Sequence, residues 1–286
     1  MRAWTKGSER NYVPWGSMSS SQSERRFEQE QAVEKAEFEA EAARLVDAAN
    51  AEGVMLRLLG ALAFATRCPN HAYLQDQLGR VYTDIDFGGY GKQVRQIQQL
   101  LAREGYAEDA AVYVESQGTR LVLKHPQSDL HLDVFLDRLE FCHVVTWNGR
   151  LDIDERTIPL AEMLLEKMQI VQINEKDLID TIMLLLEYPL GDGDDGQINI
   201  ALVAGVCAKD WGWWRTLTMN LDKVRQMAAS YPQLTDAQKA RVADQVAAAL
   251  DRIEAAPKSM GWKLRSRVGD RKKWYQDVGE LTPEAP

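Results

Sequence analysis

Asp84 and Asp86 stand one residue apart in Thr83-Asp84-Ile85-Asp86-Phe87, a run that otherwise reads as a buried β-strand. Side chains alternate faces along a strand, so both carboxylates project to the same side. Two like charges held that close are unfavourable unless a cation lies between them. Oxygen-only ligands of this kind suit Mg²⁺, which takes one or two carboxylates and fills its shell with water and substrate phosphates. A third carboxylate, Asp133, lies in His131-Leu132-Asp133-Val134-Phe135, where His131, Asp133 and Phe135 share one face. A charge in the middle of a strand is costly unless paired or metal-bound. Asp137 continues that face but falls at the strand end and reads as solvated. Three carboxylates on neighbouring strands meet the needs of a two-metal phosphoryl- or nucleotidyl-transfer site. For Asp84-x-Asp86 taken alone, a solvated strand end is the competing reading.

The elements that must position these residues follow from periodicity. A helix is expected over residues 23–50, rich in Glu, Ala, Arg and Gln. Residues 54–59 read as a short strand that ends at Gly60, and a helix opens at Ala61. A strand running through glycine into a helix start presents backbone N–H groups to an anion, and Gly60 lets a phosphate approach closely. The Asp-x-Asp strand is expected over 81–87, broken by Gly88-Gly89-Tyr90-Gly91, and an amphipathic helix over 92–104 with Gly105 as its C-cap. Residues 111–116, 119–124 and 130–136 read as strands, and 141–147 with 149–153 as a hairpin through Asn148-Gly149. After Pro159 the pattern is helical, over 160–171, 175–188, 198–208, 211–230 and 235–256. The acidic loop Gly191–Gly196 lacks the Glu that would close a calcium loop and reads as a flexible hinge.

The expected fold class is therefore α+β, a mixed β-sheet core with flanking helices followed by a helical domain. The expected divisions are a disordered extension over 1–22, an α/β domain over 23–157, a helical domain over 158–256 and a basic segment over 257–286. Met18 opens a stretch that reads like a natural start, which makes 1–17 an upstream extension.

With 286 residues and 45% hydrophobic content, the chain has ample material for a core. A formal charge of -9 argues against a protein that coats nucleic acid generally, but leaves room for a local basic patch. Cys68, Cys142 and Cys207 are odd in number, widely separated and without zinc spacing, which fits a reducing cytoplasm. No stretch has the length and apolarity of a membrane span, and the N-terminus lacks the apolar core of a secretory signal.

The order Gly60-Ala61, then Thr83-Asp84-Ile85-Asp86-Phe87, then Leu132-Asp133-Val134-Phe135, resembles the nucleotidyltransferases of the DNA polymerase β superfamily. Leu164-Leu165-Glu166-Lys167-Met168-Gln169 and Glu175-Lys176-Asp177-Leu178-Ile179-Asp180 are similar to two helices of its smaller bacterial members, the antibiotic and toxin-type enzymes. The resemblance covers residues 50–190 and implies an NTP substrate with two Mg²⁺ ions. It implies that Asp84 and Asp86 ligate both ions, and that Asp133 binds the catalytic ion and helps deprotonate an acceptor hydroxyl. Gly60, Ala61 and Lys167 would face the triphosphate, Lys176 would bind the nucleotide, and Asp177 would either anchor the helical half near the site or touch the nucleotide. The implied acceptor is RNA such as tRNA, a protein or a small molecule, and an antitoxin-like partner and no membrane are expected. Ala61 departs from the usual Gly or Ser, and residues 67–80 are an insertion whose Arg67 and Arg80 are candidate phosphate ligands. The departures keep a second reading open, a catalytically silent module that binds nucleotide or a partner protein.

Two aromatic features remain. Trp211, Trp213 and Trp214 read either as helix packing or as a surface that stacks a nucleobase. Residues 258–273 carry seven basic side chains and one acidic one, interleaved with Trp262 and followed by Trp274 and Tyr275. That segment either docks RNA or another polyanion, or folds back onto the acidic body. His71, His125, His131 and His143 have no metal-ligand spacing; His131, which shares a face with Asp133, reads either as a polar structural residue or as a neighbour of the site.

Overall fold

The computed structural model describes residues 20–277 except 129 and 148, with backbone only for 20–34. The expected disorder over 1–22 therefore lies outside the described residues up to 19, and residues 20–22 already belong to the first helix. That helix, α1 (Ser20–Ala51), buries Ala42, Leu45, Val46 and Ala49 at helical spacing and packs on β1 (Leu56–Leu59). β1 runs directly into α2 (Gly60–Arg67), and α3 (Tyr73–Gln77) fills the insertion before β2 (Ile85–Gly89). A 3₁₀ turn leads into α4 (Val94–Arg103), followed by β3 (Ala107–Glu108), α5 (Ala110–Glu115), β4 (Arg120–Lys124) and β5 (His131–Leu136).

These five strands form one mixed sheet in the order β1-β2-β5-β4-β3. β1 is antiparallel to β2, β2 parallel to β5, and β4 antiparallel to both β5 and β3. Ile85, Phe87, Leu132 and Val134 are almost wholly inaccessible, each contributing roughly 1.5–3 kcal/mol by burial. The β2–β5 register sets Asp86 opposite Asp133, while the β1–β2 register sets Leu59 opposite Asp86. The junction between β1 and α2 is thereby held beside the carboxylates.

A small hairpin, β6 (Arg138–Glu140) with β7 (Val144–Thr146), closes the first half. The second half is helical: α6 (Leu160–Met168) and α7 (Glu175–Glu187), two short parallel strands β8 (Leu190–Gly191) and β9 (Ile198–Asn199), then α8 (Ile200–Lys209), α9 (Trp211–Ser230), α10 (Asp236–Ala255) and α11 (Met260–Ser266). α6 and α7 pack on α2, and α7 also packs on α3, so the helical half reaches the first turn after β1. No helix among the described residues is long and apolar enough to cross a membrane.

Several local expectations are corrected. Residues 111–115 lie in helix α5 and Ser116 is its C-cap, because the Asp109 side chain accepts from the Ala111 N–H and caps the turn, which outweighs the β-branched Val112 and Val114. Gly88 and Gly89 continue β2 instead of breaking it. The bare Gly88 backbone accommodates the buried Trp147 ring, which would lie 3.2 Å from an added Cβ. The last hairpin pairs 138–140 with 144–146, and residues 149–153 form turns, with Asn148 outside the described residues. The strand carrying the acidic pair begins only at Ile85, so Asp84 lies in the lead-in. The loop at 191–196 is pinned and is no free hinge: Asp194 pairs with Arg150 at 2.7 Å, and Asp192 pairs with Arg252.

Candidate metal and nucleotide site

Asp84, Asp86 and Asp133 each place a carboxylate oxygen so that the three lie within 4.8 Å of one another. Asp84 is exposed and accepts from its neighbour Thr83 Oγ1 at 3.0 Å. Asp86 sits deeper. Burial, then Asp84, Asp133 and Glu166, push its pKa well above the ordinary carboxylate value, against the opposing pull of Lys167. Asp133 is held differently, by a bidentate Arg120 whose Nε and second guanidinium nitrogen donate at 2.6 and 2.5 Å. Arg120 lies opposite Phe135 in the β4–β5 ladder and covers that ring at 5.3 Å.

Gly60 makes room for the acidic cluster. Its φ is +68°, and an added Cβ would lie 2.5 Å from Asp86 Oδ2. The helix it opens has no side-chain N-cap. The Gly60 N–H is already engaged, donating to Glu166 Oε1 at 3.0 Å, so the open amides of the first turn are those that follow it. The donors fit a divalent cation by their chemistry: all are carboxylate oxygens, they converge, and Asp86 lacks enough nearby positive charge to ionise at its usual pH.

Beside the carboxylates lies a cavity of about 250 Å³, lined by Gly60, Ala61 and Asp86 together with the apolar Phe135, Leu139 and Phe141. Glu166, Lys167, Lys176 and Arg80 also line it. Lys167 is buried on α6, with Nζ 3.3 Å from Glu166, 3.2 Å from Asp177 and 3.2 Å from Asp180, and it lies over the Phe64 ring. Burial works against its charged form, but the three carboxylates outweigh burial and hold its pKa above normal. Lys167 is thus a structural cation tying α6 to α7, its charge already spoken for. Asp180 belongs to a further relay: it accepts from Gln75 at 2.7 Å, Gln75 accepts from Tyr82 at 2.9 Å, and Arg80 lies 3.4 Å away. Lys176 is exposed at the rim and has no side-chain partner among the described residues.

The cavity therefore gathers Asp84, Asp86, Gly60, Ala61, Lys167 and Lys176, with Asp133 at its carboxylate end and Asp177 reached through Lys167. Arg80 lines it too, whereas Arg67 turns away to pair with Asp154 under Tyr188. His131 pairs across the ladder with Lys124 and does not line the cavity. Three participants were not foreseen. Arg120 is invisible without the strand register. Glu166 is masked by the adjacent Lys167. Asp180 carried a signal, since it lies three residues after Asp177 and hence on the same helical face.

The C-terminal segment folds back onto α9. Trp214 meets Trp262 edge-on at 5.3 Å, Arg265 covers Trp211 at 4.5 Å, Trp274 donates to Thr216 at 3.0 Å, and Arg215 holds Asp270. Cys68, Cys142 and Cys207 are buried and free. The site stands on its own geometry: no protein-family model, no curated protein and no solved structure matches the chain.

Proposed function

We propose that this protein is a Mg²⁺-dependent nucleotidyltransferase that moves an NMP from an NTP to an acceptor hydroxyl. The observation that carries the reading is the convergence of Asp84, Asp86 and Asp133 oxygens within 4.8 Å, at the edge of a cavity entered by a glycine-opened helix. In the reaction the acceptor oxygen bonds to the α-phosphorus, the bond to the β-phosphate oxygen breaks, and pyrophosphate leaves. Bound cations would neutralise charge developing on the transferred group and the leaving group. Asp84 and Asp86 would hold them. Asp133 would complete the set and take the acceptor proton once Arg120 yields it. The triphosphate would meet the first-turn amides after Gly60 together with Arg80 and Lys176 at the rim, because Lys167 is committed to three carboxylates. Phe135, Leu139 and Phe141 would supply an apolar wall for the base. Catalysis would rest on positioning and charge neutralisation.

A second reading, a silent module that binds nucleotide or a protein partner, is favoured by two contacts. Glu166 occupies the Gly60 N–H and Arg120 occupies Asp133. Incubation with each α-phosphate-labelled NTP, Mg²⁺ and total cell extract separates the two. The enzyme transfers label to one class of acceptor, and the silent module transfers none.

A further inference from the structure

The C-terminal segment does more than fold back. Between it and α9 lies a cleft of about 730 Å³, which shares Trp211, Trp262 and Val268 with a second of about 680 Å³. Trp211, Trp262, Trp274 and Tyr275 line the first, and Trp214 and Trp262 the second. Trp262, Trp274 and Tyr275 are only partly buried, and the Trp262 Nε1–H has no acceptor among the described residues. A cation already covers one face of each ring, Lys258 over Trp262 at 5.7 Å, Arg215 over Trp274 at 5.6 Å and Lys273 over Tyr275 at 4.9 Å, so a planar base can stack only on the face turned away from it.

Most cations around the rings are already engaged. Arg265, Arg271 and Lys258 are spent on backbone carbonyls, Arg215 pairs with Asp270 and Lys273 with Asp277. Lys209 and Lys272 at the first cleft and Arg267 at the second are exposed and have no side-chain partner among the described residues. The one carboxylate of the first cleft, Asp210, is already used: it accepts from the Gly212 and Trp213 N–H groups. The free charge here is therefore positive, although the chain as a whole carries -9. A local basic surface on an acidic protein selects polyanions over a general cationic affinity.

The cleft also adjoins the candidate site. Phe141 lines the nucleotide cavity, while the next residues, Cys142, His143 and Val144, line the aromatic cleft. The Gln276 N–H donates to the Cys142 carbonyl, which fixes the C-terminal segment to that same turn. The cleft and the cavity are thus lined from the same short segment, residues 141–144.

We propose that this cleft binds a single-stranded polynucleotide, its bases stacked on Trp262, Trp274 and Tyr275 and its phosphates on Lys209, Arg267 and Lys272. Its role as the acceptor's dock rests on the nucleotidyl-transfer reading; the binding itself does not. The test measures anisotropy of fluorescein-labelled oligo(U) and oligo(dT) against the full chain, without NTP, over a range of salt. The Asp84→Asn variant is run in parallel. Saturable binding is expected for wild type and for Asp84→Asn alike. The double variant Lys209→Glu/Lys272→Glu, both exposed positions, should weaken it by roughly tenfold or more and flatten the salt slope by about 2. Trp262→Phe, which keeps an aromatic ring, should bind; Trp262→Leu, checked for an unchanged thermal midpoint, should bind more weakly. RNA and DNA arms distinguish the two sources of the same chemistry. No saturable binding at low salt, or binding indifferent to the lysine pair, overturns the proposal. Equal competition by a duplex or by heparin overturns the stacking part. Binding by a protein that transfers no nucleotide would sink the enzyme reading and leave this one intact.

Discussion

An added Cβ on Gly60 would lie 2.5 Å from Asp86 Oδ2, so the residue that opens α2 and the deepest carboxylate of the cluster cannot be varied independently. The same glycine holds φ at +68°, a conformation that costs other residues roughly 1–2 kcal/mol. Gly60→Ala should therefore lower the denaturation midpoint and also push the Asp86 carboxylate out of place. The second effect is read separately, as loss of the thermal stabilisation that added Mn²⁺ gives the wild type. A Gly60→Ala protein stabilised by Mn²⁺ as strongly as wild type would contradict this coupling.

Arg120 is the counter-ion of Asp133 when no cation is bound. Arg120→Gln removes a bidentate, partly exposed pair, and the metal-free protein should lose about 1–2 kcal/mol. Added Mg²⁺ or Mn²⁺ should then raise the variant's melting temperature more than it raises that of wild type, because the cation no longer competes with the guanidinium. Differential scanning fluorimetry across a metal titration reads both effects.

Lys167 is a buried cation among Glu166, Asp177 and Asp180. Lys167→Met leaves buried carboxylates without their partner and should cost roughly 3–5 kcal/mol. Adding Asp180→Asn to Lys167→Met should recover part of that loss, since one of the buried carboxylates, left with Arg80 alone, is removed. Urea midpoints of the single and double variants measure it.

His143 is buried against Trp213 with ring centroids 4.8 Å apart, and burial lowers its pKa to about 4, with Asp210 opposing weakly. Its ordinary value near 6.5 applies in the unfolded chain. Between those values the unfolded state binds the extra proton, so stability contributed here is present above pH 6.5 and lost as pH falls towards 4. The span corresponds to on the order of 3 kcal/mol. His143→Gln should flatten the stability-versus-pH curve in that window, measured by urea denaturation at successive pH values.

The chemistry-bearing strands were readable because their alternation is local. Asp86 and Asp133 stand out as charges inside otherwise apolar strands, and only the parallel β2–β5 register was needed to set them opposite each other. The helical half was legible for a similar reason, with Pro159 marking its start, while the side-chain caps Asn174, Asp210 and Thr235 emerge only in the structure. What escaped depends on long-range pairing or on a cap that overrides propensity. Arg120 reaches Asp133 only across the antiparallel β4–β5 ladder, and α5 forms because Asp109 caps a segment whose valines favour a strand. The fate of the basic segment could not be read from charge alone. Contacts of Trp262, Arg265 and Trp274 with α9 decide it, and no periodicity encodes them.

Mg²⁺-dependent pyrophosphate release from an NTP, compared between wild type and Asp86→Asn, tests the carboxylate cluster most directly. Asp86→Asn should fold at least as stably as wild type, since it removes a carboxylate that burial and its neighbours disfavour in charged form. Wild type should release pyrophosphate in the presence of an acceptor extract, and the equally folded variant none above background. Release by Asp86→Asn at the wild-type rate, or none from wild type with any NTP, would contradict it.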